Sequence, residues 1–422
     1  MGFLSMQLAF DSMSIKDSAA APLFPDASLL HAGNRPLRHK FNRCLKLLAI
    51  LAVFLIAAFI LTVTTSRTDY IEYWSSAKLL LHHTDPYSPA GVMAFEKTQG
   101  YSANRPIIML NPPWALFLIA PLGLVGLRTG LFFWTIATAG CVVASINLLR
   151  IPPENRAFAY VFAPAVAAVI MGQSSAFLLL GFCLFLSLHR NHPFFAGASL
   201  LLMAIKPHLF FVFWFVLLAD CIYRRRYSIL AGGSAALALA SIAPLYFDPH
   251  IWPHYISMFR GYKIQQSVLP TASMLFRMMF DARAFWLLFV PSAAATVWGL
   301  WYYAQRRQLW SWRVHGMLLI IVAILTSPYG YFTDETVILP AILYALSYRR
   351  KNKHSAWILL AINTAALCIV LGRHALLASH AYMWTPITWL AWFLYATHGS
   401  ESGGAPAPQI EITKVSGAET AC

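Results

Sequence analysis

The stretch "TSRTDYIEYWSSAKLLLHHTDPYSP" (65–89) sets Asp69, Glu72 and Asp85 among Tyr70, Tyr73, Trp74 and Tyr87, directly after the apolar run "LKLLAILAVFLIAAFILTV". A carboxylate at a membrane surface can meet a soluble or lipid-borne hydroxyl and take its proton, which is general-base chemistry. From Asp69 to His82 the spacing is helical. Tyr70, Trp74, Ala77 and Leu81 form one stripe, and Asp69, Glu72, Tyr73 and Ser76 fall on the other side. Such a helix is expected to lie in the interface, stripe toward lipid and polar face toward a cavity. An ordinary anchor helix with solvated acids would show the same pattern. Asp85 precedes Pro86, which suits a turn or cap.

A second set of polar residues sits inside apolar runs. Lys206 in "LLMAIKPHLFFVFWF" must line a wet cavity or meet an anion, unless it snorkels from a helix end. Pro207 breaks the helix beside it and frees a carbonyl, a combination tolerated where backbone lines a cavity. The sharper expectation is a lysine that receives phosphate. Gln173 in "MGQSSAF" separates two short apolar runs, as between helices that stop partway across, and a buried amide there needs partners. "LTSPYGYFTDETVILP" places Asp334 and Glu335 at the mouth between two spans, and "GRHALLASHAYMW" brings Arg373, His374 and His380 to the same side. His250 and His254 in "DPHIWPHY" are four apart and could bind metal. No H-E-x-x-H accompanies them, so aromatic-belt packing is expected instead.

The elements that must position these groups are membrane helices. Of 422 residues, 59% are hydrophobic and 11% charged, where soluble domains carry roughly 25% charged residues. The expectation is an all-α polytopic membrane protein with about twelve spans. They fall near 45–64, 107–127, 130–149, 157–172, 174–188, 194–222, 228–247, 284–304, 314–327, 336–348, 355–372 and 382–397. Residues 1–43 read as a mostly disordered basic leader, 44–398 as one membrane domain with its large outer loop at 65–106, and 399–422 as a disordered tail. The net charge of +15 collects in short connections, notably Arg224 to Arg226, 305–313 and 348–353. By the positive-inside rule both termini are then cytoplasmic, and nucleic acid is excluded as a partner. Outside the two tails nearly every acid faces out, with Asp220 as the main exception. Six scattered cysteines form neither a disulfide framework nor a zinc site.

Taken together these residues resemble glycosyltransferase family 87, polytopic enzymes with the C-type glycosyltransferase fold. The matching elements are Asp69, Tyr70, Tyr73 and Trp74 after the first span, Asp85-Pro86-Tyr87, and the Pro112-Pro113 start of the second span. Gly172-Gln173, Lys206-Pro207, and Ser327-Pro328 with the polar cluster ending at Asp334 follow in the same order. Three positions depart from the pattern. Asn111 stands where an aromatic precedes the prolines, His83-Thr84 replaces a glycine before Asp85, and Ser174 follows Gln173 in place of Asn.

The resemblance implies inverting transfer of one sugar, mannose or another hexose or pentose, from a polyprenyl-phosphate carrier to a lipid or glycan acceptor. The reaction is expected at the outer face of a bacterial inner membrane; known members include alpha-1,2-mannosyltransferases. Asp69 would be the general base. Tyr73, Asp85, Tyr87, Gln173, Lys206, Asp334 and Arg373 would bind substrate, with Lys206 or Arg373 stabilising the leaving phosphate. The rings would stack on sugar, although interface anchoring explains them equally. A leaving lipid monophosphate requires no metal, so no metal or other cofactor is expected. A transporter or lipid-linked-sugar flippase also needs charge in the membrane, but it predicts repeat symmetry and polar residues at both gates, and no internal repeat is evident. A ligase moving a whole glycan from a lipid diphosphate would want more cations at the outer mouth.

Overall fold

The computed structural model describes residues 69–101, 104–149, 151, 153–261, 269–347, 353–373 and 380–398. Among them every regular element is helical, with no β-strand. The expected first span at 45–64, the leader and the tail lie outside the described residues.

Among the described residues four helices are long and apolar enough to cross a membrane by length and composition: Leu127–Leu148, Tyr227–Tyr246, Phe285–Arg306 and His354–Gly372. A bent pair, Pro193–Ile205 and Pro207–Tyr223, makes a fifth candidate, turned by 118° at its break. Of the eleven expected spans that fall on described residues, four or five meet this measure. The shortfall is where Pro and Gly interrupt the apolar runs. The run expected at 107–127 is broken into short turns around Pro112, Pro113 and Pro121, and the run expected at 157–172 ends at Gly172 in left-handed backbone. Apolar side chains such as Leu239, Ile242, Val297, Trp357 and Leu371 face outward on the long helices, as surfaces solvated by lipid must.

The helices that carry the candidate site are labelled in chain order. They are α1 (Tyr70–Leu81), α2 (Pro89–Thr98), α3 (Leu127–Leu148), α4 (Ala163–Met171), α5 (Ser175–Leu188), α6 (Pro193–Ser199), α7 (Phe211–Tyr223) and α8 (Tyr227–Ile242). After them come α9 (Ile251–Gly261), α10 (Val290–Arg306), α11 (His315–Leu325), α12 (Leu339–Leu346), α13 (Lys353–Arg373) and α14 (Thr385–His398). Helices α6 and α8 pack closely because both present glycine at the crossing. A Cβ on Gly197 would stand 1.9 Å from the Ile229 carbonyl oxygen, and one on Gly232 equally close to that of Phe194.

Helix α1 forms where the spacing predicts, but its surroundings differ from the expectation. Tyr70, Trp74 and Ala77, expected to face lipid, are buried inside the protein, as is Tyr73. The turn at 120–124 and helix α3 cover them. Trp74 Nε1 donates to the Val125 carbonyl at 3.0 Å, and the Tyr70 and Tyr73 rings pack against Trp134. An aromatic stripe reads alike whether lipid or protein covers it, and here protein does. Helix α1 is an internal strut, not an interfacial float.

Candidate functional site

Asp69 sits immediately before α1 and makes no side-chain bond to the helix N-terminus. Its carboxylate is therefore left for tertiary partners. The backbone behind it is held by Gly172, whose φ of +68° few L residues adopt, and where an added Cβ would lie 2.7 Å from Tyr70 Cβ. Trp134 Nε1 fixes the Gly172 carbonyl at 2.7 Å. Because α4 stops at Met171 and α5 starts at Ser175, Gln173 emerges between them and faces Asp69.

Gln173 joins two charged halves. Its Nε2 donates to Asp69 Oδ2 at 2.7 Å, while its Oε1 accepts from Lys206 Nζ at 3.1 Å and from the Tyr73 hydroxyl at 3.2 Å. The reverse orientation of the amide would set its oxygen against a carboxylate and its NH2 against an ammonium, so charge fixes the assignment. Lys206 Nζ also donates to Asp334 Oδ1 at 2.7 Å. Asp334 is saturated further by the Ser175 hydroxyl on the same oxygen and by the Tyr331 amide on Oδ2. Two of the three ammonium hydrogens are thus used on protein, and the Tyr331 ring lies 5.8 Å from Nζ.

The break at Lys206 is why that ammonium reaches this point. Lys206 has φ −128° and ψ 71°, between the short turns Met203–Ile205 and Pro207–Phe210. Three carbonyls beside the break are taken by side chains. Trp114 Nε1 donates to Ala204 O at 2.7 Å, Asn111 Nδ2 to Ile205 O at 3.0 Å, and Trp214 Nε1 to Pro207 O at 3.0 Å. Lys206 is buried, at 7% exposure, so it is not snorkelling.

The electrostatics separate the acids. Burial raises Asp69 above the ordinary carboxylate range, opposed by the Gln173 hydrogen bond and the Lys206 charge. Glu72, one turn along α1, is raised well above its usual value by burial and then by Asp69.

The other expected site residues divide. Gln173, Lys206 and Asp334 join Asp69 in one network, although Asp334 is a fully engaged partner of Lys206 and not an open contact for substrate. Tyr73 reaches the network through its hydroxyl, which also lies 3.3 Å from Ser174 Oγ, while its ring is buried and offers no open stacking face. Tyr87 is likewise fully buried, its hydroxyl on the Asn111 carbonyl at 3.0 Å, which corrects the expected sugar platform to a structural pin. Asp85 lies beyond the far end of α1, about 18 Å along the helix axis from Asp69. There its Oδ1 accepts from the Tyr87 amide at 2.8 Å in a turn, so its turn role is the one realised. Arg373 ends α13, and its side chain lies outside the described residues, as does His374.

Sequence reasoning did not select Glu72, Ser175 or the ring pair His208–Tyr329, stacked at 3.7 Å beside Lys206. Only Glu72 carried a signal, its i, i+3 spacing from Asp69.

No curated protein and no solved structure matches the chain. The model of glycosyltransferase family 87 matches residues 109–328, just over half of the chain, including Gln173 and Lys206. With an all-helical, membrane-spanning architecture and that match, the chain belongs to glycosyltransferase family 87.

Proposed function

We propose that this membrane glycosyltransferase moves a single sugar from a polyprenyl-phosphate carrier to a lipid or glycan acceptor, with inversion, using Asp69 as general base. The supporting observation is the Gln173 amide, which holds Asp69 Oδ2 on one side and Lys206 on the other. With Oδ2 engaged, Oδ1 is the oxygen that takes the acceptor proton. The acceptor oxygen attacks the anomeric carbon, the bond from that carbon to the phosphate oxygen breaks, and the electron pair leaves on a lipid monophosphate. The remaining ammonium hydrogen of Lys206 meets that developing charge. A raised Asp69 suits the step, because a stronger base takes the proton more readily as long as it remains ionised at the working pH.

In this reading Tyr73 and Gln173 position the base, and Asp334 holds and aims Lys206. Arg373 is retained as a second phosphate contact at the outer mouth, and Asp85 as part of the loop that frames it. The site faces outward from a bacterial plasma membrane with both termini in the cytoplasm, on the support of the basic connections. No metal is required at the leaving phosphate.

The test uses membranes carrying wild type or Asp69→Asn, given a panel of radiolabelled polyprenyl-phosphate sugars and scored for label leaving the carrier. One donor is expected to lose label to wild type, and the variant to be slower by about 10²–10⁴-fold. Equal rates in the two would remove Asp69 as base. A folded wild-type protein that moves no label from any donor, with endogenous acceptor lipids supplied, would favour a flippase.

A further inference from the structure

Away from the Asp69 network, two loops distant in sequence meet. The turn at 82–88 follows α1, and the turn at 246–250 precedes α9. His83 takes a φ of 55°, unusual for a residue with a side chain, and is held there by a bond from its Nδ1 position to the Phe247 carbonyl at 2.9 Å. The Tyr87 and Tyr255 rings pack at 5.3 Å. At this junction each loop contributes an Asp-Pro turn, with Asp85 Oδ1 accepting from the Tyr87 amide at 2.8 Å and Asp248 Oδ1 from the His250 amide at 2.9 Å. His254, one turn into α9, places Nδ1 2.7 Å from Asp248 Oδ2 and 3.6 Å from Asp85 Oδ1.

The three side chains bring one ligand atom each within 4.8 Å of one another. Ligands about 2.1 Å from a shared ion stand about 3.4 Å apart in tetrahedral geometry, which the observed separations bracket. Asp248 is buried and the other two are half-buried, so the cluster has an open side for solvent. A hydrogen-bonded His–Asp pair alone would explain Asp248, but not the second carboxylate brought in from a loop 163 residues away in sequence.

We propose that Asp85, Asp248 and His254 form a divalent transition-metal site that clasps the first outer loop to the loop before α9. An imidazole nitrogen beside two carboxylates favours an ion of the zinc or manganese class over calcium or magnesium. The neutral ring binds through the Nδ1 lone pair with its proton on Nε2, and water fills the remaining positions. The ion does not touch the reacting groups. Its grip passes inward through Tyr87, whose hydroxyl holds the Asn111 carbonyl, and Asn111 in turn holds the Ile205 carbonyl beside Lys206. This replaces the expectation that His250 and His254 would serve only as aromatic-belt packing. The site pairs His254 with acids, and His250 contributes its backbone amide.

The test is direct binding, and it does not depend on transferase activity. Full-length protein in detergent is stripped with EDTA and dialysed against MnCl2 or ZnCl2. Bound metal is counted, and the Mn2+-loaded sample is examined by pulsed EPR for coupling to an imidazole nitrogen. Wild type is expected to hold about one ion per chain. His254→Gln, which keeps a polar side chain in place, is expected to lose the nitrogen coupling and more than about tenfold in affinity. Asp248→Asn should weaken binding in the same way, whereas His250→Ala should bind as wild type. A wild type without stoichiometric metal, or a His254→Gln variant with unchanged affinity, overturns the assignment and leaves a hydrogen-bonded triad.

Discussion

Two acids with cationic partners, Asp220 buried and Asp69 partly buried, differ in what they leave unspent. Asp220 uses both oxygens on protein: Oδ1 accepts from the Tyr303 hydroxyl at 3.1 Å and pairs with Arg224 at 2.9 Å, and Oδ2 accepts from Trp312 Nε1 at 2.8 Å. Arg224 then donates to the carbonyls of Arg307 and Trp310, so the knot ties α7 to α10 and to the turn before α11. Both of its carboxylate oxygens are taken by protein. Around Asp69 the same chemistry is left incomplete: among the described residues, one carboxylate oxygen and one ammonium hydrogen have no protein partner. A closed network stabilises; an open one can bind and react. Glu335 repeats the lesson beside Asp334. Its oxygens accept from Thr385 at 2.6 Å and Trp389 at 2.7 Å, anchoring α14, while its neighbour serves Lys206.

The comparison predicts a crossed pattern. Asp69→Asn should cut turnover by about 10²–10⁴-fold with little change in the unfolding midpoint in detergent. Asp220→Ala should do the reverse, costing about 1–3 kcal/mol of stability by leaving a half-buried arginine and two buried donors unpaired, with turnover per folded molecule unchanged. If Asp220→Ala abolished turnover in folded protein, the distinction between closed and open networks would fail.

Lys206→Met tests the link between the two properties. Alone it strands the Asp334 carboxylate and should destabilise by about 3 kcal/mol while reducing turnover. Adding Asp334→Leu should restore the unfolding midpoint but not the activity. Recovery of both would reduce Lys206 to a structural role.

The acid limb of the pH profile gives a smaller but more specific effect. The base works ionised, and burial raises Asp69, so kcat/KM should fall on acidification with an inflection above the ordinary aspartate value of about 3.9. The Gln173 bond stabilises the ionised form. Gln173→Ala should therefore move that inflection further up, and an unmoved limb would separate Gln173 from the base. The smallest change expected is from Ser175→Ala, which removes one of several bonds to Asp334 and should cost about 1–2 kcal/mol of stability.

Much of the site was legible because polar residues inside apolar runs are costly unless used. That argument alone marked Gln173 and Lys206, and the Pro beside Lys206 marked the break. The departures from the family pattern were legible as differences but not as roles. His83, where a glycine was expected, adopts the positive φ itself, secured by the Phe247 carbonyl. Asn111, in place of an aromatic, holds the Ile205 carbonyl, and Ser174 lies within reach of the Tyr73 hydroxyl.

The sequence by itself determined the membrane class, the helix at 70–81, the breaks near Gly172 and Lys206, and the residue types able to do the chemistry. These follow from local composition, spacing and backbone preference. Only the tertiary structure decided what covers α1, that Gln173 joins Asp69 to Lys206 while Asp334 is fully engaged, and that Asp85 meets Asp248 and His254. Burial and hydrogen-bond partners depend on segments 100 or more residues apart, and no local pattern records which of them meet.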